Sequence, residues 1–233
     1  MLFVHEIHNV VGKRAAEFED AYRTEWLPML AEGNDARLLW YFDLAHGSGL
    51  SYRAVTVTAV ADGAAWARLA ERVAHGDLRS WARRLDGLQH ESRGRVMTSL
   101  AWSPSIGSLE EVPTAPAEHE PTMYMEDTMW TFPGKLHEYI EAAGSIYQPT
   151  IHADDSQVKL KIALALQTMP GGGRSPEVTL LQRISDLAPL IHLLTNDLPD
   201  HFTKPGSWMH DALELRDQWQ SRLLRSAPWS PLP

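Results

Sequence analysis

The chain has 233 residues, 44% of them apolar and 22% charged, with a formal net charge of -9, the balance of an ordinary globular protein rather than a disordered or fibrous one. That acidity leaves no broad basic face to release phosphate counterions, so neither nucleic acid nor an anionic membrane is an expected partner. Without cysteine, disulfides, thiolate catalysis and cysteine-bound zinc or iron–sulfur clusters are excluded, and any metal would have to use His, Asp or Glu.

The N-terminal MLFVHEIHNVVGK has polar residues breaking its apolar run and no small-residue cleavage site, so it does not read as a signal peptide, and no stretch approaches eighteen uninterrupted apolar residues. A cytoplasmic protein is expected. Leu2 to Val10 is β-rich; Phe18, Tyr22, Trp26 and Met29 then recur at helical spacing up to a Gly33-Asn34 stop. Leu38 to Leu44 and Tyr52 to Val60 are two further β-rich runs around the glycine-containing His46-Gly47-Ser48-Gly49 connection. Asp62 is an N-cap residue for a helix with Trp66, Leu69 and Val73 inward. Leu78, Trp81, Leu85 and Leu88 make a second helical stripe, and Arg95 to Trp102 closes the unit as a strand.

The same order then repeats. Ser80-Trp81 precedes Trp102-Ser103-Pro104 as Ser207-Trp208 precedes Trp229-Ser230-Pro231, and the Trp-to-Trp spacing is 21 in both (102 − 81 and 229 − 208). Gly12-Lys13 returns as Gly134-Lys135, Glu17-Phe18 as Glu138-Tyr139, and Trp26-Leu27-Pro28 as Tyr147-Gln148-Pro149. Such self-similarity marks a duplication. In the second copy Tyr124 to Trp130 reads as a strand, Leu136 to Tyr147 as a helix, Val158 to Thr168 and Val178 to Ile184 as a hairpin around Gly171-Gly172-Gly173, Asp186 as the next cap, and Arg222 to Trp229 as the last strand. Each copy is therefore β-α-β-β-α-β, the ferredoxin-like split βαβ. The expected class is α+β, with ferredoxin-like halves at 1–104 and 122–233 joined by a Pro-, Ser- and Glu-rich linker at 105–121. Because each four-stranded sheet has one bare face, the two are expected to close as an intramolecular α+β barrel.

Phe132-Pro133-Gly134-Lys135-Leu136 with Glu138-Tyr139, then Tyr147-Gln148-Pro149, then Arg222-Leu-Leu-Arg-Ser-Ala-Pro-Trp-Ser-Pro231 resemble the NIPSNAP family of dimeric α+β barrel proteins. The resemblance covers most of the second copy and, more weakly, the first; tandem units are common in that family. One departure is the first strand, where the family's Tyr-Glu-x-Arg-x-Tyr pattern lacks its arginine here and Glu6 and His8 take the Glu and Arg places in the first copy. The wider superfamily implies several chemistries, among them cofactor-free oxygenases, haem enzymes, isomerases and dehydratases, so function must come from the site.

Eleven histidines in a cysteine-free chain point to proton transfer near neutral pH. Strand alternation puts His5 with Phe3 and Ile7 on one face and Glu6 with His8 on the other. His8 with Glu6 is therefore the expected acid/base pair, with His5, His75, Tyr41, Glu126 and Asp127 as positioning candidates. A helix-capping or solvated role is the commoner fate of a loop histidine such as His75, His201 or His46. His152 with Asp154 and Asp155 has ligand-type side chains but reads as a polar loop. Gly171 to Gly173 lacks the Lys-Ser/Thr of a phosphate loop, and no nucleophile elbow or Rossmann fingerprint is present.

Aromatic and methionine-rich strands favour an apolar pocket with a few polar groups. The expectation is an enzyme without organic cofactor, a lyase, isomerase, dehydratase or cofactor-free oxygenase, acting on a hydrophobic small molecule in a sheet–helix cleft of a monomer or homodimer. The alternatives are a haem or mononuclear-metal enzyme using His75, His201 or another histidine, as some relatives' loop histidine implies, and a non-catalytic binding or scaffold protein of the NIPSNAP type.

Overall fold

The computed structural model describes residues 1–153, 156 and 159–233. The chain divides into two compact units. The first comprises Met1–Thr98, Ile106–Thr122 and Leu223–Pro233. It opens with β1 (Leu2–Val10), then a helical stretch made of α1 (Ala15–Ala21), a π turn (Tyr22–Trp26) and α2 (Leu27–Glu32). There follow β2 (Ala36–Leu44), β3 (Arg53–Val60), α3 (Gly63–Ala74), α4 (Arg79–Asp86) and β4 (Gln89–Ser99). β1 pairs antiparallel with both β3 and β4, and β3 with β2, so the order is β4-β1-β3-β2. That is the split βαβ arrangement.

Physical causes for these elements are local. Asp62 accepts a hydrogen bond from the Ala65 amide at 2.8 Å and starts α3. Pro28 has no amide hydrogen, and its ring would press on the Thr24 carbonyl one helical turn back. The chain answers with a wide turn in which the Leu27 amide reaches the Tyr22 carbonyl, five residues earlier. Phe18, Tyr22, Trp26, Leu27 and Leu30 from this stretch pack with Leu69, Trp81 and Leu85 into one buried cluster against the sheet. Each such side chain contributes about 1.5–3 kcal/mol on burial.

The second unit comprises Ser99–Ser105 and Met123–Arg222. Its elements are β5 (Met123–Trp130), α5 (Leu136–Ala142), a second π turn (Ala143–Tyr147), α6 (Gln148–His152), β6 (Leu160–Thr168), β7 (Val178–Ile184), α7 (Leu187–Thr195), the short α8 (Asp200–Thr203) and α9 (Trp208–Asp211), and β8 (Gln218–Ser226). β7 pairs antiparallel with β5 and β6, and β8 follows β5 in the strand order. The ferredoxin-like order thus recurs. Asp186 caps α7 through the Ala188 amide at 3.0 Å, and Pro149 stands two residues after the π turn, as Pro28 does in the first copy. The expected α+β class with two ferredoxin-like units is what the chain adopts.

Three details differ from the sequence reading. β4 starts at Gln89 and β8 at Gln218, earlier than the expected Arg95 and Arg222, because the leading halves QHESR and QWQS are polar and mostly exposed and carry no apolar alternation. Leu109 and Val112, inside the expected linker, are buried, and Ile106–Thr122 packs with the first unit, as does Leu223–Pro233. Val158, the expected start of β6, and the Asp154-Asp155 pair lie outside the described residues. No helix among the described residues is long and apolar enough to cross a membrane.

Candidate functional site

Within the first unit the helices leave a cavity of about 340 Å³ against the sheet, inside the range of about 300–1,000 Å³ usual for small-molecule sites. Its walls include the indoles of Trp26, Trp66 and Trp81 and the aliphatic Val4, Leu69 and Leu85. Trp26 and Trp81 stack with centroids 4.1 Å apart, and the Trp81 indole N–H donates to the Ala21 carbonyl at 3.2 Å. This wall is therefore fixed by packing. A wider, more open depression of about 660 Å³ near Gly12 and Tyr52 presents solvated groups and no buried titratable one.

Two acidic or basic side chains reach the cavity from β1, Glu6 and His8. His8 is only 1% exposed. Its Nδ1 lies 2.9 Å from the Gln89 side-chain oxygen, an acceptor, so Nδ1 carries the proton and Nε2 is left as a lone-pair nitrogen. Nε2 lies 3.2 Å from both the Tyr22 hydroxyl and the Thr56 hydroxyl. Burial lowers the His8 pKa from its ordinary value, opposed by the charge of Glu6 and the bond to Gln89. The imidazole is therefore neutral at neutral pH. Burial first, then the nearby charges of Glu6 and Tyr41, hold the Tyr22 phenol far above its usual pKa, so Tyr22 stays a neutral donor.

Glu6 behaves differently. Among the described residues its carboxylate takes part in no hydrogen bond or ion pair, and Gly94, the residue opposite it on β4, supplies no side chain. Its effect on His8 is through charge; orientation of the ring is the work of Gln89, Tyr22 and Thr56.

The remaining candidates, His5, His75, Tyr41, Glu126 and Asp127, do not line this cavity. His5, on the other face of β1, is buried and receives a hydrogen bond from Arg95 Nη2 to Nδ1 at 2.8 Å. His75 is the exposed C-cap of α3. Tyr41 is buried in the core between Tyr22 and Trp229, with centroids 5.6 and 5.0 Å away. Glu126, in the second unit, is 1% exposed and ion-paired with Arg222. Asp127 is half-buried in that unit with both oxygens engaged, by the Ser221 hydroxyl at 2.5 Å and the Gln182 amide nitrogen at 2.8 Å. Desolvation raises its pKa.

The second unit is the first unit's counterpart with different side chains. With Val4 facing Thr58 and Met125 facing Gln182 in equivalent strand pairs, Asp127 corresponds to Glu6, Met129 to His8 and Gln182 to Thr58. The repeat offsets likewise match Ala143 with Tyr22, Arg216 with Gln89 and Ser221 with Gly94. Tyr147 stacks on Trp208 at 5.3 Å, as Trp26 does on Trp81. Tyr22, Gln89 and Thr56 were not singled out from sequence. The signal that finds them is this mismatch: a polar group in one copy where the other has a different residue.

A haem would need a histidine facing a slot. His75 and His201 are exposed, and His8, which lines the cavity, has Nδ1 held by Gln89 and Nε2 covered by the hydroxyls of Tyr22 and Thr56 at 3.2 Å, with no second histidine among the cavity's described lining residues. No group of three His, Asp or Glu suited to a metal occurs among the described residues. These residues do not fit a haem or a multidentate metal.

No family model matches the sequence, and no curated protein matches it either. Solved structures do. A protein from Fusobacterium nucleatum provisionally described as a monooxygenase aligns over 97% of this chain and 91% of its own, with a TM-score of 0.61 at 8% identity. An anthrone oxidase-like protein aligns over 97% and 91%, with a TM-score of 0.57 at 10% identity. At these identities the likeness shows the fold alone, an α+β barrel. A NIPSNAP domain protein from Burkholderia xenovorans is 20% identical and matches 45% of this chain over 100% of its own, with a TM-score of 0.36.

Proposed function

We propose that the protein is an enzyme without organic cofactor that moves a proton on an apolar small molecule held in the first unit's cavity. The observation that carries this reading is His8: a buried neutral imidazole whose Nε2 lone pair sits 3.2 Å from the phenol of Tyr22 at the wall of an aromatic cavity. Nε2 is the base. It takes a proton from a carbon next to a carbonyl; the C–H bond breaks, an N–H bond forms, and the electron pair moves onto the carbonyl oxygen. The Tyr22 hydroxyl, turned from Nε2 to that oxygen, donates to the developing charge. Glu6 stabilises the imidazolium while it lasts.

The enolate so formed is common to isomerisation, elimination and oxygen addition. Oxygenase and oxidase descriptions of two proteins sharing the fold support an enzyme reading at that level. The test needs no prior substrate: a panel of aryl ketones, with and without ammonium substituents, is incubated with protein in D₂O and followed by proton NMR. Deuterium should enter the α-carbon of at least one member with the parent and not with His8→Ala. Equal exchange by the two proteins would remove His8 from the chemistry.

A further inference from the structure

Glu6 places a half-buried carboxylate at a largely apolar cavity, and among the described residues nothing bonds to it. Such a group is costly to desolvate unless something compensates it. The second unit shows what compensation looks like on the same backbone: Asp127, at the position of Glu6, is held by Ser221 and Gln182. In the first unit those two places are Gly94 and Thr58, so the pair of groups that holds Asp127 is not reproduced around Glu6, which lines the same cavity as Trp26, Trp66 and Trp81. Among the described residues the other charged side chain lining the cavity is the exposed Asp86, and neither Lys nor Arg lines it.

We propose that the cavity binds an organic cation, an ammonium or alkylated ammonium group on an apolar body, with the positive charge set against Glu6 and the walls supplied by Trp26, Trp66 and Trp81. Indole faces attract such cations through the ring quadrupole, and the half-buried Glu6 carboxylate supplies the opposite charge. A carboxylate or phosphate ligand would meet two negative groups and no positive one. This assignment takes the cavity as the substrate site, as proposed above, and adds the charge of what enters it.

The test uses benzyltrimethylammonium, its uncharged carbon analogue neopentylbenzene, and phenylacetate as the anion. Binding to the intact protein is followed by quenching of tryptophan fluorescence and by calorimetry. The cation should bind saturably, at least tenfold more tightly than either comparison compound, and Glu6→Gln should weaken it at least tenfold. Phenylacetate binding as well as the cation, or a Glu6→Gln protein within twofold of the parent, overturns the assignment. Circular dichroism checks that the variant folds; should it not, Asp86→Asn, at an exposed position, takes its place, with at least a threefold weakening expected and no change counting against the proposal. The two readings fail separately. A protein that binds the cation but exchanges no α-proton loses the proposed reaction and keeps the ligand class. One that exchanges neutral ketones as fast as ammonium-bearing ones loses the ligand class and keeps the reaction.

Discussion

Gly94 on β4 faces Glu6 on β1, and a Cβ added at Gly94 would lie 3.7 Å from Glu6 Cγ, an ordinary van der Waals distance. A small side chain therefore fits there without displacing the strand. In the other unit the same place is Ser221, whose hydroxyl holds Asp127. Gly94→Ser should fold and give Glu6 the partner it lacks. Cation binding should fall about tenfold while the melting temperature stays level or rises. A variant that binds as the parent does would show that a hydroxyl at this position leaves the Glu6 carboxylate available.

His8 contributes to stability as well as to chemistry. His8→Ala removes a buried ring and leaves Gln89, Tyr22 and Thr56 each short of a partner, a loss of about 2–4 kcal/mol from cavity and unmade hydrogen bonds together. Urea denaturation measures it. His8→Gln, which retains some hydrogen bonding, should recover part of this stability and none of the exchange.

The pH dependence follows from the direction of the His8 shift. Its pKa in the folded protein lies below the ordinary value of 6.5, so the unfolded chain binds the proton more readily. The stability due to the neutral ring is complete above about pH 6.5 and is lost as pH falls through the folded-state pKa. Exchange activity should drop over the same acid limb, since a protonated ring is no base. In His8→Gln the stability profile should flatten in that window; a parent-like acid limb in this variant would assign the titration to another group.

Trp81→Ala deletes the ring stacked on Trp26 and the hydrogen bond to the Ala21 carbonyl. The expected cost is about 3–5 kcal/mol, with Trp81→Phe costing less and keeping more of the cavity wall. Chemical denaturation of the two variants gives the ordering, and ligand binding should follow it.

Asp127→Asn tests whether the second unit takes part in the chemistry. The amide cannot accept from both Ser221 and Gln182, so stability should fall by about 1–3 kcal/mol. Exchange rates, measured where the variant is fully folded, should match the parent. A large loss of activity would place chemistry in the second unit.

Much of the fold is legible in the sequence because its determinants are local: the tryptophan spacing, the glycine-containing hairpins, Asp62 and Asp186 as caps, and the alternation along β1 that separates His5 from His8. The site is less legible. Glu126 and Asp127 look as available as Glu6 until cross-strand register brings Arg222 to one and Ser221 to the other. Tyr22 and Gln89 become site residues through tertiary contacts with a histidine 14 residues before one and 81 before the other. The starts of β4 and β8 are hidden for the opposite reason, since their exposed polar halves carry no periodic pattern.

Both halves carry the wide turn at the same place, Tyr22–Trp26 and Ala143–Tyr147, each followed by a proline. In each helix the proline poses the same backbone problem, and the same five-residue turn answers it. Replacing Pro28 or Pro149 by alanine would therefore lift that constraint in one half while leaving it in force in the other.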